Sequence, residues 1–156
     1  TIGPAGGLIT KNARQLKVPF LIVQCHGQPD PLYLKVAGAA ANGSVMPSTR
    51  LMVADQLPSS DRQKKACVNF VKQYKARKIG DYGTHSGYAW DAVQIIAGAL
   101  KKAGTSPSKL RAAIEKTRGY VGVSGIYNMS PKDHTGLDAT SLVMVEVKNG
   151  KWTLIK

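Results

Sequence analysis

Four consecutive apolar residues, Phe20-Leu21-Ile22-Val23, follow Pro19 and stop at a polar, glycine-bearing stretch, Gln24-Cys25-His26-Gly27. A strand with one wet face alternates apolar and polar side chains. A run without alternation belongs to a strand buried on both faces, the habit of parallel sheets. Such a strand needs partners at its edges and a layer on each face. Residues 5–16 place Leu8, Ile9, Ala13 and Leu16 at helical spacing with Lys11 and Arg14 outward, and Asp30-Pro31 is an N-cap followed by proline at the first helical position. The helix opened there carries Leu32, Leu34 and Val36 and ends near Asn42-Gly43. Helix, strand, loop and helix in that order are the repeat unit of an open α/β sheet.

The remaining segments do not supply the missing parallel strands. Ser44-Val45-Met46 and Leu51-Met52-Val53 are short strand and connector signals, broken by Pro47 and closed by Pro58. Cys67, Phe70, Val71 and Tyr74 then fall at i, i+3, i+4 and i+7, one apolar stripe on a helix otherwise rich in lysine and arginine. A long helix over about 84–103 has Trp90, Val93, Ile96 and Leu100 along one side and Ile95 and Ala99 elsewhere, which predicts burial on more than one face; Gly104 stops it. Ser106-Pro107 opens a further helix with Leu110, Ala113 and Ile114 inward. After Gly119 the period changes to two, and strands are expected over 126–129, 142–147 and 152–155. Lys148-Asn149-Gly150-Lys151 joins the last two, because Asn-Gly suits the positive φ of a type I′ turn. One α/β unit, a helical middle and a terminal antiparallel hairpin do not close an architecture. The expectation is the later part of a larger α/β protein, consistent with the start Thr1-Ile2-Gly3-Pro4, which lacks an initiator Met and any signal-peptide pattern.

Composition narrows the function classes. The 156 residues carry 22 Lys and Arg against 9 Asp and Glu, a formal charge of +13, which favours an anionic partner or ligand. No run approaches the roughly 20 apolar residues of a membrane span. Two cysteines, Cys25 and Cys67, cannot build a disulfide framework or a four-ligand zinc site, and are expected as buried or half-buried thiols. No nucleophile–base pair, phosphate-binding glycine loop or pair of carboxylates is present, so an enzyme is not expected and no cofactor or metal is implied. His134 lies near Asp133 and Asp138, but the spacing fits no standard metal site and suits a turn. The cations of 62–78 are spread around an amphipathic helix, which suits a solvated face better than a nucleic-acid surface.

Several motifs, in order, resemble the C-terminal portion of the type I periplasmic solute-binding proteins of ABC transporters, in the leucine-isoleucine-valine-binding group. They are Ala13-Arg14-Gln15-Leu16, His26-Gly27, Val36-Ala37-Gly38, Leu51 to Pro58, Gly87-Tyr88-Ala89-Trp90-Asp91-Ala92-Val93, Asp133 to Asp138, and Val145 to Trp152. The resemblance spans nearly the whole chain, and the family's full chain is more than twice as long. It implies an α/β fold of two lobes, each an open, mainly parallel sheet flanked by helices, with ligand in the cleft between. On that reading 1–52 are the end of the second lobe, 56–118 are helices returning to the first, and 122–156 are final strands of the second. Both lobes are incomplete, and an N-terminal half or a second chain is expected to cover the exposed edges.

The resemblance also implies the site. His26, with Gly27 and Gln28, occupies the loop beyond a strand's C-terminal end, where ligands of open α/β sheets lie. In amino-acid-binding relatives the position matching His26 is acidic and pairs with the ligand's ammonium; a histidine instead suits a carboxylate or hydroxyl. Thr84, His85 and Ser86 open a helix whose N-terminus suits a carboxylate, and Tyr82 precedes it. Plain N-capping by Thr84 or Ser86 is the alternative. The expected function is therefore the periplasmic or extracytoplasmic solute-binding component of an ABC importer. It would capture a small carboxylate-bearing solute, either an aromatic or aliphatic acid or a hydrophobic amino acid, and pass it to a membrane permease. The reading from another class is a small basic nucleic-acid-binding domain.

Overall fold

Glycine lets the first helix settle closer than its apolar pattern predicts. In the computed structural model, which describes residues 2–155, α1 (Pro4–Gln15) buries Gly6, Gly7 and Thr10, while Leu8, Ile9 and Leu16 are exposed. A Cβ on Gly7 would lie 2.9 Å from the Cβ of Val36, so the missing methyl is what lets α1 pack on α2 (Pro31–Ala37). Thr10 fixes the contact: its hydroxyl donates to Gly6 O (2.9 Å), lies 3.1 Å from the Tyr33 hydroxyl, and accepts from Gln24 Nε2 (3.0 Å). Asp30 caps α2 as expected, accepting from Leu32 N at 2.8 Å. The buried residues of α2 are Tyr33 and Ala37, with Leu32 left exposed.

The apolar run at 20–23 is not the buried strand that its pattern predicts. Phe20, Leu21 and Val23 are 73%, 64% and 63% exposed, and pairing is confined to one parallel bridge, Val23 with Val45. Val45 N donates to Ile22 O, and Val45 O accepts from Gln24 N. The next donor on that edge of β1 (Val45–Thr49) would be residue 47, which is proline, so the ladder stops there.

On its other edge β1 pairs antiparallel with β4 (Leu142–Lys148), from Val45 opposite Glu146 to Thr49 opposite Leu142. β4 pairs in turn with β5 (Lys151–Leu154), giving a sheet of order β1-β4-β5. The expected hairpin is present, with Asn149 and Gly150 both at positive φ (50° and 69°). A second ribbon pairs β2 (Tyr120–Val121) with β3 (Ile126–Tyr127). The two-residue β3 is shorter than the strand expected there.

Two small cores result. Tyr33, Ala37, Met46, Val53, Val145 and Val147 close the first, against Trp152 and Leu154. Leu51, Ala54, Cys67, Phe70 and Val123 form the second, edged by Tyr74, Tyr82 and Trp90. The 3₁₀ turn Arg50–Val53 joins them by sending Leu51 into one and Val53 into the other. α3 (Lys64–Arg77) contributes Cys67 and Phe70 from its predicted stripe. α4 (Thr84–Ala103) departs from expectation: it buries Thr84, Gly87, Asp91, Ile95 and Ala99, while Val93, Ile96 and Leu100 face outward. α5 (Pro107–Glu115) packs on α4 with Leu110, Ala113 and Ile114 half-buried. Cys25, expected to be at least half-buried, is exposed, because the run before it lies on an open edge; Cys67 is buried. Among the described residues no helix is long and apolar enough to cross a membrane.

Candidate functional site

A carbonyl joins the two segments singled out in the sequence. Pro29 O, at the end of the 24–29 loop, accepts from both the backbone N–H (3.3 Å) and the hydroxyl (2.9 Å) of Thr84, the first residue of α4. Thr84 is fully buried, so its hydroxyl is committed to this junction and does not face an open surface. Gly83 presses on the other side of the same loop, where a Cβ would come within 2.7 Å of Asp30 Oδ2. Ser86 completes the helix start by accepting from Gly83 N at 3.3 Å.

This junction brings His26, Gly27 and Gln28 to Thr84 and His85. A Cβ on Gly27 would lie 3.9 Å from His85 Cε1 and 3.2 Å from the Ile2 side chain. His26 and His85 are both exposed, and the His26 ring meets the edge of Tyr88 at a centroid distance of 6.4 Å and 84°. Burial, reinforced by the nearby Asp91 carboxylate, raises the Tyr88 phenol above its ordinary value, so its hydroxyl stays protonated as a hydrogen-bond donor. His26 against the Tyr88 ring and His85 against Gly27 form an exposed shelf, and Tyr88 also lines a cavity with Ile95 and Tyr127. Asp30, against Gly83, is already engaged in capping α2.

Gln28 underlies the shelf rather than lining it. Its side chain is fully buried, Nε2 donates to Gly3 O at 2.8 Å, and Oε1 has no hydrogen-bond partner. It packs on the glycine face of α1, where a Cβ on Gly6 would sit 2.2 Å from Nε2. Tyr82 and Ser86 lie elsewhere. Tyr82 stacks edge-on to Phe70 and Tyr74, and burial raises its phenol, with Asp55 adding to the effect. Ser86 lines a groove of about 430 Å³ with Phe70, Trp90 and Val93.

Asp91 is the residue that pattern reading passed over. One turn beyond Tyr88 and fully buried, its carboxylate accepts from Val123 N (2.9 Å), Ser124 N (2.8 Å) and the Tyr127 hydroxyl (3.2 Å). It thereby fixes α4 to the β2–β3 ribbon. The signal was available: Asp91 is the single charge between Tyr88 and Leu100, and a lone acid in an apolar helix is buried with partners or not at all. His134 pairs with Glu115 Oε1 at 3.0 Å, while Asp133 and Asp138 accept backbone N–H groups of their own turns, so this cluster is spent on local structure.

A sequence profile of the periplasmic binding protein family matches residues 3–151. The chain belongs to that family. Among solved structures, an extracellular ligand-binding receptor from Rhodopseudomonas palustris HaA2 superposes on 99% of this chain with a TM-score of 0.86 and 27% identity, and 46% of that receptor is covered. A leucine-binding protein, LivK, from Thermotoga maritima is 26% identical with a TM-score of 0.79, covering 98% of this chain and 41% of its own. The branched-chain amino acid transporter substrate-binding protein LivJ of Streptococcus pneumoniae, solved with isoleucine, shares the fold at 22% identity and a TM-score of 0.79, over 97% of this chain and 41% of its own. No curated protein matches. This periplasmic binding protein chain thus has the type I α/β fold and spans less than half the length of the solved receptors it matches. Its relatives are periplasmic or extracellular solute-binding receptors.

Proposed function

We propose that the His26–Gly27–Gln28 loop and the start of α4 form one wall of a solute cleft. The protein is then the extracytoplasmic binding component of an ABC importer that delivers its solute to a membrane permease without chemistry. The observation that supports the proposal is the Pro29–Thr84 hydrogen bond, which ties the loop of exposed His26 to the helix start of exposed His85 across 55 residues of chain.

The ligand class follows from the donors. Two imidazoles and a phenol hydroxyl can all donate hydrogen bonds, and the Asp30 and Asp91 carboxylates already accept bonds from the protein itself. Such a wall suits a carboxylate-bearing solute, an aromatic or aliphatic acid, better than an α-ammonium group, to which it offers no free carboxylate. A hydrophobic amino acid requires its ammonium partner from residues outside this chain.

A thermal-shift screen of the complete gene product that carries this chain tests the assignment. Benzoate or hexanoate at about 100 times its dissociation constant should raise stability by about 2.7 kcal/mol. His26→Ala should abolish that shift. Stabilisation by leucine or valine without stabilisation by simple carboxylates would assign the site to amino acids. Tight DNA or RNA binding that weakens steeply with salt would point instead to a nucleic-acid partner.

A further inference from the structure

Asparagine stands before glycine at Asn42-Gly43 and at Asn149-Gly150, and the fold brings these two pairs together at one end of the β1–β4 ladder. An Asn-Gly pair can modify itself, because glycine has no side chain to keep its backbone nitrogen from the preceding side-chain amide. At the hairpin the Gly150 nitrogen would give up its proton and attack Asn149 Cγ. A C–N bond closes a cyclic imide, and the side-chain nitrogen leaves as ammonia. Water then opens the ring at either carbonyl, leaving aspartate or isoaspartate. One water is consumed, one ammonia is released, and nothing is oxidised or reduced.

The turn supplies nearly everything this reaction needs. Asn149 and Gly150 are exposed, so water reaches them. Lys148 and Lys151 face each other across the turn and set positive charge beside the N–H that must ionise. The group withheld is the nucleophile itself. Gly150 N donates to Asn42 Oδ1 at 3.1 Å, from 108 residues away in the chain. An N–H held in that bond is free neither to ionise nor to turn toward the side chain of its neighbour. Arg14 steadies the acceptor, Nη2 donating to Asn42 O at 3.3 Å. The other pair is closed by the sheet: Gly43 N donates to Val147 O (2.9 Å), and Val147 N donates to Ser44 O (3.0 Å).

We propose that Asn149 is a masked deamidation site, and that the Asn42 side chain keeps it unreacted by taking up the Gly150 N–H. The inference is independent of the solute assignment, since it concerns the hairpin turn and not the histidine shelf. Its product has a structural consequence. Isoaspartate at 149 would add a backbone carbon to a two-residue turn whose flanking residues, Lys148 and Lys151, are paired.

Incubation of the complete gene product at mildly alkaline pH tests it, with Asp and isoAsp at 149 followed by peptide mass spectrometry. Asn42→Ala should speed the loss of the Asn149 amide about fivefold, the worth of one hydrogen bond that otherwise opens before attack. Asn42→Asp keeps an acceptor oxygen and should react as slowly as the wild type. Hydrogen exchange at the Val147 amide reports in parallel whether the ladder is intact. Equal rates in the wild type and Asn42→Ala would overturn the proposal, as would fast reaction of Asn42→Asp. Faster reaction of Asn42→Ala accompanied by loss of Val147 protection would also overturn it, because the lock would then be the hairpin as a whole.

Discussion

Asp91 and Gly122 stand so close that a methyl group cannot fit between them: a Cβ on Gly122 would lie 2.5 Å from Asp91 Oδ2. The missing side chain lets the β2–β3 turn come down onto the helix far enough for two successive backbone N–H groups to reach one carboxylate. Gly122→Ala should therefore cost about 1–3 kcal/mol through overpacking, with the helix–ribbon contact pushed apart. Urea unfolding should show a lower midpoint with an unchanged slope.

Removing the acid should cost more than crowding it. Asp91→Ala strands two buried N–H groups and the Tyr127 hydroxyl, a loss of about 3–5 kcal/mol. Asp91→Asn keeps one acceptor oxygen and should lose less.

Asp91 also gives stability a definite pH sign. Burial raises its carboxyl above the usual 3.8, an effect that the hydrogen bonds from Val123 and Ser124 oppose. A folded-state value above the unfolded one contributes stability that is complete below pH 3.8 and is lost as pH rises through the raised value. The stability difference between wild type and Asp91→Asn, followed by denaturant titration from acid upward, should shift against the wild type over that interval. A flat difference would show that Asp91 titrates as it does in the unfolded chain.

Cys67 should be chemically silent in the folded protein. Burial first, then the Asp61 and Asp91 carboxylates, push its thiol from 9.0 up to about 12, and its sulfur lies 3.5 Å from Val123 O. Iodoacetamide at pH 8 should label the exposed Cys25 and leave Cys67 unmodified until denaturant is added, as read by peptide mass spectrometry. Above pH 9.0 the unfolded chain releases a thiol proton that the folded chain keeps, so the Cys67 contribution to stability should fall as pH approaches 12.

The junction under the histidine shelf can be weakened without touching the shelf itself. Thr84→Val keeps the shape and the backbone bond to Pro29 O but deletes the buried hydroxyl donor. The expected loss is about 1 kcal/mol of stability, and solute affinity should fall because the 26–28 loop is no longer held as tightly against α4. Calorimetric titration with benzoate or hexanoate, the solutes of the proposed cleft, would measure it.

Local chemistry was legible in the sequence wherever a residue's role depends on its neighbours along the chain. The Asp30-Pro31 helix start, the Asn149-Gly150 turn and the Cys67–Phe70 stripe are set by backbone geometry within a few residues, and all three stand as expected. The loop carrying His26 and the helix start carrying His85 were legible as separate segments, a loop before the Asp30 cap and the start of α4. Their meeting was not, because it rests on Pro29 O and Thr84, and a backbone carbonyl has no sequence signature. Tyr82 and Ser86 share their stretch of chain with His85, yet face the Phe70 aromatic cluster, since successive side chains near a helix start point different ways.

The sequence by itself determined which segments are apolar and with what period, and hence the helices, the hairpin and the demand for a parallel strand at 20–23. The tertiary structure decided which apolar faces are satisfied. Periodicity reports that a face is to be covered, but which element covers it depends on contacts between distant segments. α1 turns its glycines inward and its leucines outward, and the α4 stripe and the 20–23 run stay open. It also decided that Asp91, an acid in an apolar helix, is a structural anchor, because only the fold brings Val123 and Ser124 within reach of it.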